Sequence, residues 1–212
     1  MVLLHGLWRS FWAMDGLASA LNDEGFETLN IPYASFRKTL DEIVDDVADA
    51  IGSSPRRTHF VTHSMGGIVL RCLARRHPDL VTGKIVMLAP PNQGSEIIDW
   101  LEDSPLSRWA LGPGGMSLST DKVRDNVPGF SDQHDVSVIM GRSSSVPFFR
   151  SLFQGENDGI VTAGGGKVAG MRRMEIVDGD HTFLMNQPVV RKRVINLLGT
   201  QGSGEREAQS GI

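Results

Sequence analysis

Short apolar runs alternate along the chain with longer segments whose apolar residues recur every three or four positions. The short runs are residues 2–5, 27–31, 59–63, 84–89, 136–140 and 174–177, and their length and bounding turn residues predict strands. The longer segments predict helices. The first covers 11–23 and stops at Gly25. The second opens at Thr39, where Thr39-x-x-Glu42 makes a capping box, and sets Leu40, Ile43, Val44, Val47 and Ile51 on one face. A third begins just after Ser64 and runs to His77, stopped by Pro78. The last covers 188–198, with Pro188 in its first turn and Gly199 past its end. Strands alternating with helices predict a three-layer α/β fold, a mostly parallel sheet of about six strands flanked by helices.

Two regions interrupt this rhythm. Residues 91–134 join one strand to the next without a strand of their own, and a connection of that length inside a compact domain is usually functional. The segment carries Trp100, Leu106, Trp109, Leu111 and Met116, too apolar for a free linker, and is expected to form a helical cap or lid beside the site. Residues 200–212 are polar and glycine-rich and are expected to be a flexible tail. The expected organisation is one domain over 1–199 with 91–134 as its insert.

Composition narrows the function classes. The 212 residues carry 21 Lys+Arg against 25 Asp+Glu, a net charge of −4 without charge blocks. A nucleic-acid partner would call for a basic footprint, so none is expected. Cys72 is alone, which excludes an internal disulfide and any CxxC metal or redox site. No apolar run reaches the roughly 18 residues of a membrane span. The first residues also lack a signal-peptide pattern, so the chain as given reads as cytoplasmic, with removal of a leader left open. Phosphate-loop and dinucleotide patterns fail: Gly164-Gly165-Gly166-Lys167 has Val161 and Val168 at the positions that need Gly and Ser or Thr, and Ser117 ends a broken GxGxxG. With no HExxH either, neither a metal nor another cofactor is expected.

The densest chemical signal is Thr58-His59-Phe60-Val61-Thr62-His63-Ser64-Met65-Gly66-Gly67-Ile68-Val69-Leu70-Arg71. An apolar strand stops at a serine, two glycines follow, and an apolar helix begins. A sharp strand-to-helix turn of this kind lifts the serine oxygen out of the backbone, and the helix N-terminus offers N–H groups to developing negative charge. A plain helix-capping serine would leave a similar trace.

On these residues the sequence resembles the α/β-hydrolase superfamily of serine esterases and lipases, most closely its small bacterial lipases, over about residues 1–199. Thr62-His63-Ser64-Met65-Gly66 stands where that family has G-x-S-x-G, with threonine for the first glycine. The resemblance implies Ser64 as nucleophile, followed in chain order by an acid and a histidine. His181, in a short loop between the last strand and the last helix, fits the base. Asp158, in Gly155-Glu156-Asn157-Asp158-Gly159-Ile160-Val161, resembles the family's acid loop, with Glu156 and Asp180 as competitors. The N–H of Met65 becomes one oxyanion donor by construction of the turn. Leu4-His5-Gly6-Leu7 resembles the His-Gly-x segment that supplies the second from the Leu7 backbone. His5 reads as a loop-holding histidine, and His59 and His63 as structural. Pro90-Pro91-Asn92-Gln93-Gly94-Ser95 resembles the family's turn after the strand beside the nucleophile.

The expected activity is hydrolysis of short- to medium-chain apolar esters through an acyl-enzyme. Trp8, His63, Phe183 and Leu184 are candidate pocket residues, and a small-molecule ester is the expected partner. Acyl transfer, or thioester or amide cleavage by the same residues, is the alternative inside the fold. A non-catalytic binding module on the same fold is the alternative outside it. Oligomeric state is not legible.

Overall fold

A computed structural model describes residues 1–53, 57–102, 105–143 and 155–199, and the expected tail at 200–212 lies outside them. Its strands are β1 (Val2–Leu4), β2 (Leu29–Asn30), β3 (Phe60–His63), β4 (Lys84–Leu88), β5 (Asp135–Gly141) and β6 (Met171–Val177). They pair in the order β2-β1-β3-β4-β5-β6, every neighbour parallel. Seven helices accompany them among the described residues: α1 (Trp12–Asp23), α2 (Leu40–Ile51), α3 (Met65–Arg76), α4 (Glu96–Glu102), α5 (Pro105–Met116), α6 (Thr120–Asn126) and α7 (Pro188–Leu198).

Successive strand side chains feed two separate cores. On β4, Ile85 and Met87 join Ile43 and Val47 of α2 and Ile68 and Leu73 of α3. Val86 and Leu88, on the opposite pleat, join Leu17 and Leu21 of α1 and Val190 and Val194 of α7. A sheet covered on both faces needs strands that are apolar at every position, which is why the runs read as continuous rather than alternating.

The helix signals act as their chemistry dictates. The Thr39 hydroxyl accepts the Glu42 N–H at 3.3 Å, and the Glu42 carboxylate accepts the Thr39 N–H at 2.8 Å, closing the capping box of α2. α1 stops where Gly25 turns to φ 87°, its N–H on the Asn22 carbonyl and the Phe26 N–H on that of Leu21.

Both edges depart from the expected boundaries. β2 contracts to two residues because an edge strand has one neighbour, and Met1 and Leu3 supply the carbonyls for the Leu29 and Ile31 N–H groups. β6 starts at Met171 rather than 174; Arg172 and Arg173 are exposed on this outer strand, so no apolar pattern marks them.

The 91–134 connection holds α4, α5 and α6. α5 breaks at Gly112 (φ 63°), where a Cβ would lie 2.0 Å from the Phe36 carbonyl oxygen, and Pro113 follows. Leu111 and Leu118 are buried in the first core, whereas Trp100 and Trp109 face outward. The Leu106 side chain lies outside the described set. No helix among the described residues is long and apolar enough to cross a membrane.

From β1 the chain moves outward through α1 to β2, then returns to the other side of β1 as β3. At such a switch the loops leaving the two central strands diverge and open a crevice at their carboxyl ends. Trp8, Ser64 and Ala89, the described non-glycine residues with positive φ (54°, 52° and 46°), all follow the carboxyl ends of β1, β3 and β4. Strain of this kind, of order 1–3 kcal/mol each, collects where geometry is functional.

Candidate active site

Ser64 occupies the turn between β3 and α3 with φ 52° and ψ −123°, its N–H held by the Leu88 carbonyl at 2.9 Å. The glycines after it leave little room for a side chain, and at Gly66 the obstacle is backbone. A Cβ on Gly66 would lie 2.5 Å from the Leu4 carbonyl oxygen, and one on Gly67 would lie 2.6 Å from the Met87 Cε. Thr62, at the motif's first-glycine position, sits in β3 with its side chain fully buried. Helix α3 starts at Met65; the Gly67 N–H turns back to the Ser64 carbonyl at 2.9 Å, and the Met65 and Gly66 N–H groups have no intrahelical acceptor.

Three residues far apart in sequence converge here. The Ser64 Oγ lies 2.9 Å from Nε2 of His181, and Nδ1 of His181 lies 2.8 Å from Oδ2 of Asp158. The other carboxylate oxygen of Asp158 accepts the N–H groups of Ile160 (3.0 Å) and Val161 (2.8 Å), and the Asp158 carbonyl accepts the His181 N–H at 3.1 Å. All three side chains are buried, Asp158 to 1% exposure. The competing carboxylates face elsewhere: Glu156 is exposed beside Arg142, and Asp180 accepts the Phe183 N–H.

A profile of the alpha/beta hydrolase family matches residues 1–190. The chain belongs to the alpha/beta hydrolase family. Solved structures agree on the fold. Mature BlEst2 lipase of Bacillus licheniformis superposes with a TM-score of 0.75 at 20% identity, over 93% of this chain and 90% of that one. The propeptide form of that lipase is matched over 96% of this chain and 51% of its own length, with the same TM-score of 0.75 and 20% identity. The monoacylglycerol lipase of Paleococcus ferrophilus superposes at 0.60 and 16% identity, over 93% and 92% of the two chains. No curated protein matches by sequence.

Two further histidines brace the hydrolase centre. His63 places Nε2 2.9 Å from the His181 carbonyl, and a carbonyl only accepts, so this nitrogen carries the proton. Burial, reinforced by the neighbouring His181, holds the His63 pKa well below the ordinary histidine value. His5 directs Nδ1 to the Gly6 carbonyl at 2.9 Å, stacks on the Tyr33 ring at 4.0 Å, and accepts the Tyr33 hydroxyl on its own carbonyl. The Gly6 carbonyl also receives the Arg9 N–H at 3.3 Å. A trans peptide points its C=O and N–H in opposite directions, so pinning the Gly6 carbonyl turns the Leu7 N–H the other way. Gly6 itself abuts Ser64: a Cβ on it would lie 3.0 Å from the serine Cβ.

A cavity of about 380 Å³ opens at Ser64 and His181. Its apolar wall comes from Leu7, from Ile97, Ile98 and Leu101 of α4, and from Leu118, Ile160 and Val161. Trp8 and His63 line it as well. Phe183 and Leu184 do not. Leu184 begins a single helical turn that packs into the second core, and Phe183, 54% exposed, lies under the Arg9 guanidinium outside the lining. Nearness in sequence to His181 misplaced them, because the chain leaves the cavity directly after Thr182.

Sequence reasoning gave no pocket role to Ile97, Ile98, Leu101, Leu118 or Thr182, and it missed Arg9, which reaches the cavity from the loop after β1. Ser95 reaches it from the turn after β4 that the sequence had singled out. A cation three residues beyond the His-Gly pair was the available signal for Arg9. Arg71 was also missed. Buried on α3, it donates to the carbonyls of Pro128, Asn92 and Val127 at 2.7, 2.9 and 2.9 Å, tying α3 to the insert.

Proposed function

We propose that this hydrolase is a serine carboxylester hydrolase acting on short- to medium-chain esters through an acyl-enzyme. The observation that carries the reading is the unbroken line from the Ser64 hydroxyl through His181 to the Asp158 carboxylate at the mouth of an apolar cavity. Ser64 attacks the ester carbonyl while His181 Nε2 takes its proton. Asp158 holds the imidazole tautomer and stabilises the imidazolium that forms. The tetrahedral oxyanion rests on the N–H groups of Leu7 and Met65, each worth roughly 3 kcal/mol to the transition state. His181 then protonates the departing alcohol, and water activated by the same nitrogen releases the acid and restores Ser64.

The acyl chain occupies the space beneath α4, and its modest volume favours short and medium chains. Labelling with a fluorophosphonate tests the chemistry: one adduct is expected, lost in Ser64→Ala and strongly reduced in His181→Ala. Absence of labelling in folded protein supports a binding module instead. A series of p-nitrophenyl esters tests the substrate class, and a rate maximum at sixteen carbons overturns the chain-length reading.

A further inference from the structure

We propose that the esters this hydrolase takes carry an anionic group, carboxylate or phosphate, on their alcohol half, and that Arg9 receives it. The inference rests on the ester-hydrolase reading. Among the described residues Arg9 is the one lysine, arginine or acidic side chain in a lining that is otherwise mostly apolar. It takes part in none of the ion pairs formed among the described residues. Its guanidinium is already held in place: Nη2 donates to the Thr182 carbonyl at 2.9 Å, and the Phe183 ring lies beneath it at 5.8 Å. The Nε N–H is buried and has no acceptor. A buried donor left without a partner is costly, and a fixed guanidinium fork matches the paired oxygens of a carboxylate or phosphate.

Position assigns the anion to the alcohol half. Arg9 is fastened to Thr182, the residue after His181. The alcohol oxygen must take its proton from Nε2 of that histidine as it leaves, so the departing half of the ester lies on the His181 side. The acyl half is left the apolar wall supplied by Ile97, Ile98 and Leu101. A cation against an anion in this partly dry setting amounts to roughly ten- to hundredfold in kcat/KM, the span of one charge-assisted hydrogen bond.

Three esters test this, sharing one medium-chain acyl group and differing only in an alcohol that ends in a carboxylate, a phosphate or a neutral amide. The anionic esters are expected to exceed the neutral one by about tenfold or more in kcat/KM, and the better of the two names the source. In Arg9→Gln the anionic-to-neutral ratio is expected to collapse toward one, with Arg9→Lys keeping part of it. Because each ratio is measured on a single preparation, a loss of folded protein cancels out of it. A wild-type ratio near one, or a ratio that survives Arg9→Gln, overturns the inference while leaving ester hydrolysis standing. Absence of turnover on all three esters overturns both.

Discussion

His63 donates from Nε2 to the backbone carbonyl of His181 across a sequence separation of 118 residues, and their rings lie 5.0 Å apart. The residue before Ser64 thereby fastens the loop that carries His181. His63→Ala is expected to leave KM nearly unchanged and to lower kcat by up to about 100-fold, the cost of a displacement near 1 Å at a reacting centre. His63→Gln, which places an amide N–H close to the same point, is expected to recover part of the loss. Steady-state kinetics on one ester checks both.

Asp158 satisfies three donors with two oxygens: the imidazole Nδ1–H and the N–H groups of Ile160 and Val161. An asparagine keeps the shape but turns an amide NH₂ toward Nδ1, which must then accept, and the proton moves to Nε2, the wrong tautomer for taking one from Ser64. Asp158→Asn is expected to cost about 10³- to 10⁴-fold in kcat with little change in melting temperature. Rates and thermal unfolding measured on the same samples separate these two effects.

Acid should destabilise the fold well before its carboxylates titrate. Burial, the leading cause in both, lowers the pKa of His5 and His63 in the fold, whereas the unfolded chain binds a proton at each near the ordinary value of about 6.5. Below that value the unfolded state takes up protons that the folded state does not, so stability falls as pH drops from 7 toward 5. The slope is at most about 1.4 kcal/mol per pH unit for each ring. Urea unfolding at pH 7, 6 and 5 is expected to show the decline, and His63→Gln is expected to flatten it.

Arg71 is expected to matter for stability rather than chemistry. Desolvation lowers its pKa to about 10, which keeps it charged at neutral pH, and its guanidinium serves backbone carbonyls near both ends of the 91–134 insert, at Asn92 and at Val127 and Pro128. Arg71→Leu strands those carbonyls in the interior at a cost of about 3 kcal/mol or more. The midpoint of urea unfolding checks the size of the effect. A loss below about 0.5 kcal/mol, the range of an ordinary surface substitution, means the carbonyls find other donors.

The strand-turn-helix around Ser64 was legible because each residue there obeys a local rule: apolar strand, strained serine, glycines where a backbone passes. His181 and Asp158 were legible because chain order and flanking glycines narrowed the choice. The cavity wall was legible only in outline. The apolar richness of 91–134 announced a cover, but not that α4 faces the cavity while Trp109 faces outward. Phe183 and Leu184 were misjudged because proximity along the chain stood in for orientation. Arg9 went unnoticed because its spacing from the His5-Gly6 pair carries no direction, and only the folded carbonyl of Thr182 gives it one. The edge strands blurred for a related reason: with one neighbour apiece, their residues need not be apolar.

The indole of Trp8 donates to the Ala110 carbonyl at 2.9 Å, and Trp8 is the next residue after Leu7. Through that bond the broken helix packed against α4 is tied to the turn beside Ser64. An acyl chain too thick for the space beneath α4 would press that helix onto α5, against which it packs, and drag the Leu7 peptide out of alignment. Oversized substrates should therefore slow in turnover and not merely in uptake, so selectivity for chain girth would be written into kcat.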